Sequence, residues 1–278
     1  MEICVLVDNQ ALIDRYFLAE PGLSLLIRDE ELTVLFDAGY SDAFLQNALA
    51  LGHDLIDLDA IVLSHNHLDH TWGLVPLIRY MTELKLSRRP MPSPYLVAHP
   101  DVFLSVSAED CTELGSLLSK EKLAKHFPLQ LSPGPKALSS RLTFLGEIPR
   151  GNDFEALSTF GRKEGAIEKD LVLDDSALVY RSSSGLVIIA GCAHAGICNT
   201  IEYAKEICGD DRVLDIVGGL HLQDPTAQQL EGTLSYLGSL KPAEVHACHC
   251  TDLASKIALS RVVPLREVGV GMSLHYDP

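Results

Sequence analysis

Leu63-Ser64-His65-Asn66-His67-Leu68-Asp69-His70-Thr71-Trp72-Gly73 is the stretch that decides how this chain reads, and it directly follows the apolar run Ala60-Ile61-Val62. Three imidazoles and a carboxylate within six residues are too dense for one face of a helix or of a strand, whose side-chain periods are 3.6 and 2. A loop leaving the end of a buried strand can point all four at one place. His and Asp are ligands for zinc, iron and manganese. His65, His67, Asp69 and His70 are therefore candidate metal ligands, and such packing builds half of a binuclear site. The first two His suit one ion, and Asp69 with His70 suits a neighbour.

The N-terminal part alternates strands and turns. Ile3–Val7, Leu23–Ile27 and Thr33–Phe36 read as strands, punctuated by Gly22 and Asp29-Glu30-Glu31. Ser41 is expected to cap a helix with Phe44, Leu45, Ala48 and Leu49 as its apolar face, stopped at Gly52. After the His cluster, Leu74, Leu77, Ile78, Met81 and Leu84 have helical spacing, and Tyr95–Ala98 is another strand. From about 101 to 170 the pattern weakens and reads as an insertion or lid. The last third is regular again. Ala177–Tyr180 and Leu186–Ala190 form a hairpin, and Val213–Val217 and Glu244–Ala247 are strands. Asp224-Pro225 should start a helix faced by Leu230, Leu234 and Leu237, and Thr251 should cap the next one. Strands alternating with helices imply an α/β layered fold.

Three of those later strands end in a turn carrying a His: His194, His221 and His249. With His65, His67 and His70, six of the chain's eleven His sit at four strand ends, the edge where α/β folds collect ligands. His194 and His249 are candidate metal ligands, and His221 a ligand, supporting group or general acid. Asp175 is a candidate ligand or the partner that sets a ligand imidazole's tautomer, and Asp37, at a strand end, a partner for a ligand His. Cys192 is either a thiolate ligand or a buried structural thiol. His53, His126 and His275 have no expected site role; His246 is expected to serve packing, and His99 to line the site or form a turn.

At 278 residues, 47% hydrophobic and 22% charged, the chain can bury a large core and is expected to form one domain over residues 1–278. A net charge of −16 argues against a nucleic-acid partner. It leaves room for a small anionic substrate, because bound cations dominate the local field. Seven cysteines, odd in number and without framework spacing, fit reduced thiols in a reducing compartment. No signal pattern is seen, and the apolar runs fall short of the roughly 20 residues a membrane helix needs; a cytoplasmic location off the membrane is expected.

The resemblance that these residues carry extends over nearly the whole chain. Gly22 to Ile27, Leu35 to Gly39, Leu63 to Thr71, Gly146-Glu147-Ile148-Pro149-Arg150, Gly191 to Gly196, Gly218 to Leu222 and Cys248 to Thr251 together resemble the metallo-β-lactamase fold superfamily. More narrowly, they resemble its dihydropteroate-synthase-like branch, which includes 7,8-dihydropterin-6-methyl-4-(β-D-ribofuranosyl)aminobenzene-5′-phosphate synthases. The resemblance implies a four-layer αββα fold with an inserted lid. It also implies two divalent ions, zinc first and manganese or iron as alternatives, that activate a water. The activity expected is hydrolysis of a small anionic ester or phosphoester, with Asp69 or His221 passing a proton. The alternatives are a transferase joining a pterin to an aromatic amine, and an iron-binding redox protein. The chain departs from the superfamily where an Asp usually bridges the metals. His194, Cys192 and Asp175 stand as alternatives for that role. Trp72 replaces a small residue and narrows the pocket, and Pro21 stands where the branch tends to carry a His.

Overall fold

The aliphatic and β-branched runs pair into sheets because each is short, buried on both faces and bounded by turn residues. The computed structural model describes residues 1–30, 32–89 and 93–278; Glu31, the end of the expected acidic turn, lies outside the described residues. In chain order the strands are β1 (Glu2–Val7), β2 (Ser24–Asp29), β3 (Leu32–Phe36), β4 (Ala60–Val62), β5 (Tyr95–Ala98), β6 (Val106–Ser107), β7 (Leu129–Leu131) and β8 (Lys136–Ala137). They continue with β9 (Leu142–Phe144), β10 (Arg162–Lys163), β11 (Ala177–Ser182), β12 (Gly185–Ala190), β13 (Val213–Gly219), β14 (Glu244–Cys248) and β15 (Ser273–His275). The helices are α1 (Ala43–Ala50), α2 (Leu68–Thr71), α3 (Leu74–Leu86), α4 (Lys120–Leu123), α5 (Ile197–Cys208), α6 (Ala227–Leu240) and α7 (Leu253–Leu259). The longest, α6, is not long and apolar enough to cross a membrane, nor is any other among the described residues.

The chain divides into two compact units. The first comprises residues 1–132, 160–170 and 269–275; the second comprises 133–159, 171–268 and 276–278. The first unit carries a seven-stranded sheet ordered β15-β1-β2-β3-β4-β5-β7. Its β1, β2 and β3 are antiparallel, whereas β3, β4, β5 and β7 run parallel. Its core joins Leu6, Leu35, Phe44, Ile61, Leu77, Leu96 and Phe127 from sheet and helices. The second unit carries a six-stranded sheet ordered β14-β13-β12-β11-β9-β8, in which β12, β13 and β14 are parallel. Ile188, Ala204, Ile216, Leu237 and Val245 belong to its core. Segment 101–170 therefore holds sheet strands as well as turns: β7 extends the first sheet, and β8 and β9 edge the second.

The structure corrects four local expectations. The N-cap of α1 is Asp42 rather than Ser41, whose hydroxyl accepts the Ala43 N–H at 3.1 Å. In α1 the buried stripe is rotated: Leu49 is 80% exposed while Asn47 is buried. The Asn47 amide donates to the Leu6 and Leu18 carbonyls, both at 2.8 Å, and its Oδ1 accepts the Leu18 N–H at 2.9 Å; these bonds outweigh a face drawn from hydrophobicity alone. The cap of α6 is Thr226, whose hydroxyl accepts the Gln229 N–H, rather than Asp224. The cap of α7 is Asp252, accepting from Ser255, rather than Thr251. Thr251 instead accepts the Leu220 N–H at 3.1 Å, tying the turn after β14 to the turn after β13.

Candidate metal centre

In the first unit the ligand loop leaves the C-terminal end of β4, and Asp37 leaves the end of its parallel neighbour β3. The loop is pinned from below by backbone bonds. Ala38 N–H donates to the His70 carbonyl at 2.8 Å, and Gly73 N–H to the Gly39 carbonyl at 3.0 Å. Close approach here demands glycine. A Cβ on Gly73 would stand 1.9 Å from the Ala38 carbonyl oxygen, and one on Gly22 2.7 Å from that of Asp69. The Thr71 hydroxyl donates to the His67 carbonyl at 3.0 Å, closing the single turn α2 that aims the side chains.

Asp37 organises the imidazoles. It is wholly buried and accepts three bonds of 2.7 Å each, from the Ser64 N–H, the Ser64 hydroxyl and His70 Nδ1–H. Because the Ser64 hydroxyl spends its proton on Asp37, it can only accept from His65 Nδ1, 2.8 Å away. One carboxylate thus fixes the proton of both rings on Nδ1 and makes Nε2 the nitrogen able to bind a cation. The rings are packed together, with centroids 4.7 Å apart for His65–His67 and 4.2 Å for His65–His70. His70 Nε2 lies 3.7 Å from Asp69 Oδ2, beyond a hydrogen bond and close to the spacing of two ligands each about 2.0–2.2 Å from one ion. The donor set and its spacing fit a divalent metal. His67 packs edge-on against Phe160. Trp72 stacks on Tyr40 at 5.1 Å and donates to the Gly115 carbonyl at 2.8 Å, so its indole is held.

In the second unit three turns collect at one sheet edge, after the parallel strands β12, β13 and β14. They carry His194, His221 and His249. The His194 and His221 rings lie 4.3 Å apart. Ala193, His221 and His249 all have left-handed backbones, φ +51 to +56, and so does Asp37 at φ +57 in the first unit. Such conformations cost about 1–3 kcal/mol each and cluster at functional sites. Asp175 is buried and accepts the Ala195 N–H at 2.8 Å. It therefore props the turn that bears His194. Burial pushes its carboxyl up to about 7, against the lowering effect of the N–H groups of Ala195 and His194. Burial disfavours protonation of His221, but its hydrogen bond with Cys250 and the nearby Cys250 and Asp175 charges raise its pKa overall. The His221 N–H donates to Cys250 Sγ at 3.3 Å. Burial also works against ionisation of the Cys250 thiol, but bonds with Cys192 and His221 and the charges of His249 and His221 hold it well below the usual thiol range.

Two features were not drawn from the sequence. The Ser64 relay was signalled only by a hydroxyl directly before His65. The convergence of Cys192 with Cys250, 58 positions apart, depends on the parallel pairing of β12, β13 and β14. His99 forms a turn, its Nδ1 accepting the Asp101 N–H at 3.2 Å. The buried His246 is bound to Asp215 at 2.9 Å, and the Tyr276 hydroxyl donates to the same carboxylate at 2.7 Å.

Comparison with known proteins bears on this geometry. Residues 18–80, spanning Asp37 and the ligand loop, match the metallo-beta-lactamase superfamily. A 7,8-dihydropterin-6-methyl-4-(beta-D-ribofuranosyl)-aminobenzene-5'-phosphate synthase of Methanocaldococcus jannaschii is 31% identical over 273 residues, 92% of this chain and 89% of that one. An uncharacterised protein of the same organism is 31% identical over 260 residues, 94% of each. The crystal structure of a metal-dependent hydrolase of the beta-lactamase superfamily matches over 100% of both chains, with a TM-score of 0.81 and 25% identity. The α/β fold expected from the motifs is the fold observed.

Proposed function

This chain belongs to the metallo-beta-lactamase superfamily, and from that premise we propose that it is a hydrolase using two divalent metal ions, zinc in the first place, on a small anionic ester or phosphoester. It is an enzyme, and both metal-dependent hydrolysis and group transfer fall within what its relatives do. The observation that carries the reading is the Asp37 network. A protein with no use for a cation gains nothing from fixing the tautomers of two adjacent buried imidazoles through one carboxylate.

The residues assigned to the metals are His65, His67, Asp69 and His70 in the first unit and His194 and His249 in the second. When bound, such ions polarise a substrate oxygen and lower the pKa of water. The protein's own part is positional and acid–base. Asp37 holds His65 and His70, and Asp175 holds the turn that carries His194. Asp69, partly exposed at its carboxylate, and His221, whose pKa is raised, are the groups assigned to pass a proton to the leaving group. Trp72, held by Tyr40 and Gly115, is assigned to the substrate wall.

A second reading, transfer of a pterin to an aromatic amine, is favoured by the name of the Methanocaldococcus jannaschii synthase. Turnover of metal-loaded protein with a panel of phosphoesters and pterin pyrophosphates separates the two. Hydrolysis predicts product from one organic substrate and water. An absolute requirement for an arylamine, with no water-derived product, would replace it with transfer.

A further inference from the structure

The three turns at the edge of the second unit's sheet bring together more than imidazoles. One ligand atom each from Cys192, His249 and Cys250 lies within 4.8 Å of the others. Ligands about 2.0–2.3 Å from a tetrahedral ion stand roughly 3.3–3.8 Å from one another, so the spacing of this group is close to what such an ion needs. Neither thiol is engaged in a disulfide.

Space and polarity around Cys250 are built for a sulfur. A Cβ on Gly219 would lie 2.5 Å from Cys250 Sγ and 2.5 Å from the Gly191 carbonyl oxygen. Any larger residue at Gly219 would fill the cradle that the thiol occupies. The His221 N–H is aimed at the sulfur at 3.3 Å, while the thiol itself donates to the Cys192 carbonyl at 3.4 Å. These two contacts fix the Cys250 side chain beside Cys192. His221 and His249 hold this arrangement from left-handed backbones, a strain that packing of a neutral thiol gives no reason to keep. Cys198, in the same unit, contrasts with this: it is buried in the apolar cluster with Ile197 and Ile201, and burial drives its thiol up.

We propose that Cys192 and Cys250, with His249, give the second unit a thiolate-bearing ligand set, so that its ion is bound through sulfur as well as nitrogen. This rests on the metal-dependent reading above and deepens it. Soft sulfur ligands select zinc or iron over manganese and magnesium, whereas the first unit's imidazole and carboxylate donors do not.

Zinc-edge X-ray absorption of the full-length, zinc-loaded protein tests the assignment, with zinc content of the same samples measured by elemental mass spectrometry. The expected result is a sulfur shell at about 2.3 Å beside nitrogen and oxygen at about 2.0–2.1 Å. Cys250→Ser should reduce that shell by about half, as one of two sulfurs is lost. Cobalt(II) in place of zinc should show a near-ultraviolet sulfur-to-cobalt band that Cys192→Ser and Cys250→Ser each weaken. Zinc retained with only nitrogen and oxygen neighbours overturns the sulfur assignment and leaves the metal reading standing. Absence of bound zinc from the wild-type protein overturns both.

Discussion

Asp37→Asn is the perturbation that the site geometry defines most sharply. The substitution is isosteric, and Asn tolerates the left-handed backbone that Asp37 adopts at φ +57. Its carbonyl oxygen can still accept the Ser64 N–H, now made to Asp37 Oδ1 at 2.7 Å. Its amide nitrogen then replaces Oδ2, which accepts from both the Ser64 hydroxyl and His70 Nδ1. A donor in that place forces His70 Nδ1 to accept and moves its proton to Nε2. It also turns the Ser64 hydroxyl toward His65 Nδ1, 2.8 Å away, with the same consequence for that ring. One oxygen-to-nitrogen exchange thus blocks two candidate ligand nitrogens. Loss of such supporting contacts costs about 10–100-fold in metal affinity, equivalent to about 1.4–2.7 kcal/mol. Folding should suffer less than in Asp37→Ala, which strands buried donors at about 1–3 kcal/mol each. Chelator competition for zinc reads the affinity, and urea unfolding of the metal-free protein reads the stability. Wild-type zinc affinity in a folded Asp37→Asn protein would refute the tautomer argument.

Two further predictions come from the same segments. Gly73→Ala must move the Ala38 carbonyl, 1.9 Å from the added carbon, and should cost about 3 kcal/mol or more in urea unfolding; Gly134→Ala, which meets nothing within 4 Å, should stay within about 0.5 kcal/mol. Equal midpoints for the two variants would contradict the close approach. In metal-free protein, burial raises Asp175 to about 7 from about 3.9 when unfolded. Between those values the folded state keeps a proton that the unfolded chain has lost, so stability falls as pH rises from about 4 to 7, by something on the order of 4 kcal/mol. Asp175→Asn keeps an acceptor for the Ala195 N–H and should gain on wild type across that window; parallel pH profiles would count against it.

Much of the site was legible because its chemistry is local in sequence. The ligand loop announces itself by density, and the later His by recurring at the ends of apolar runs. Asp37 was readable as a strand-end carboxylate, but not its grip on two rings through Ser64, which needs β3 beside β4. Backbone strain at Asp37, Ala193, His221 and His249 leaves no compositional trace, since none is glycine. Asn47 defeated the helix-face reading because a polar side chain entered the core with all its bonds satisfied. Asp224 and Thr251 were misjudged as caps for the reason that makes capping hard to place: neighbouring Thr226 and Asp252 offer the same chemistry one or two positions away. Segment 101–170 was opaque because its strands are two or three residues long, too short for a period.

The proposed function depends on this chain holding divalent metal. Elemental mass spectrometry after metal-supplemented growth tests it, with the wild type beside His67→Ala and His194→Ala. About two equivalents of metal are expected in the wild type, with a loss in each variant. Below about a tenth of an equivalent in the wild type, metal binding is contradicted, and the fold has lost its chemistry.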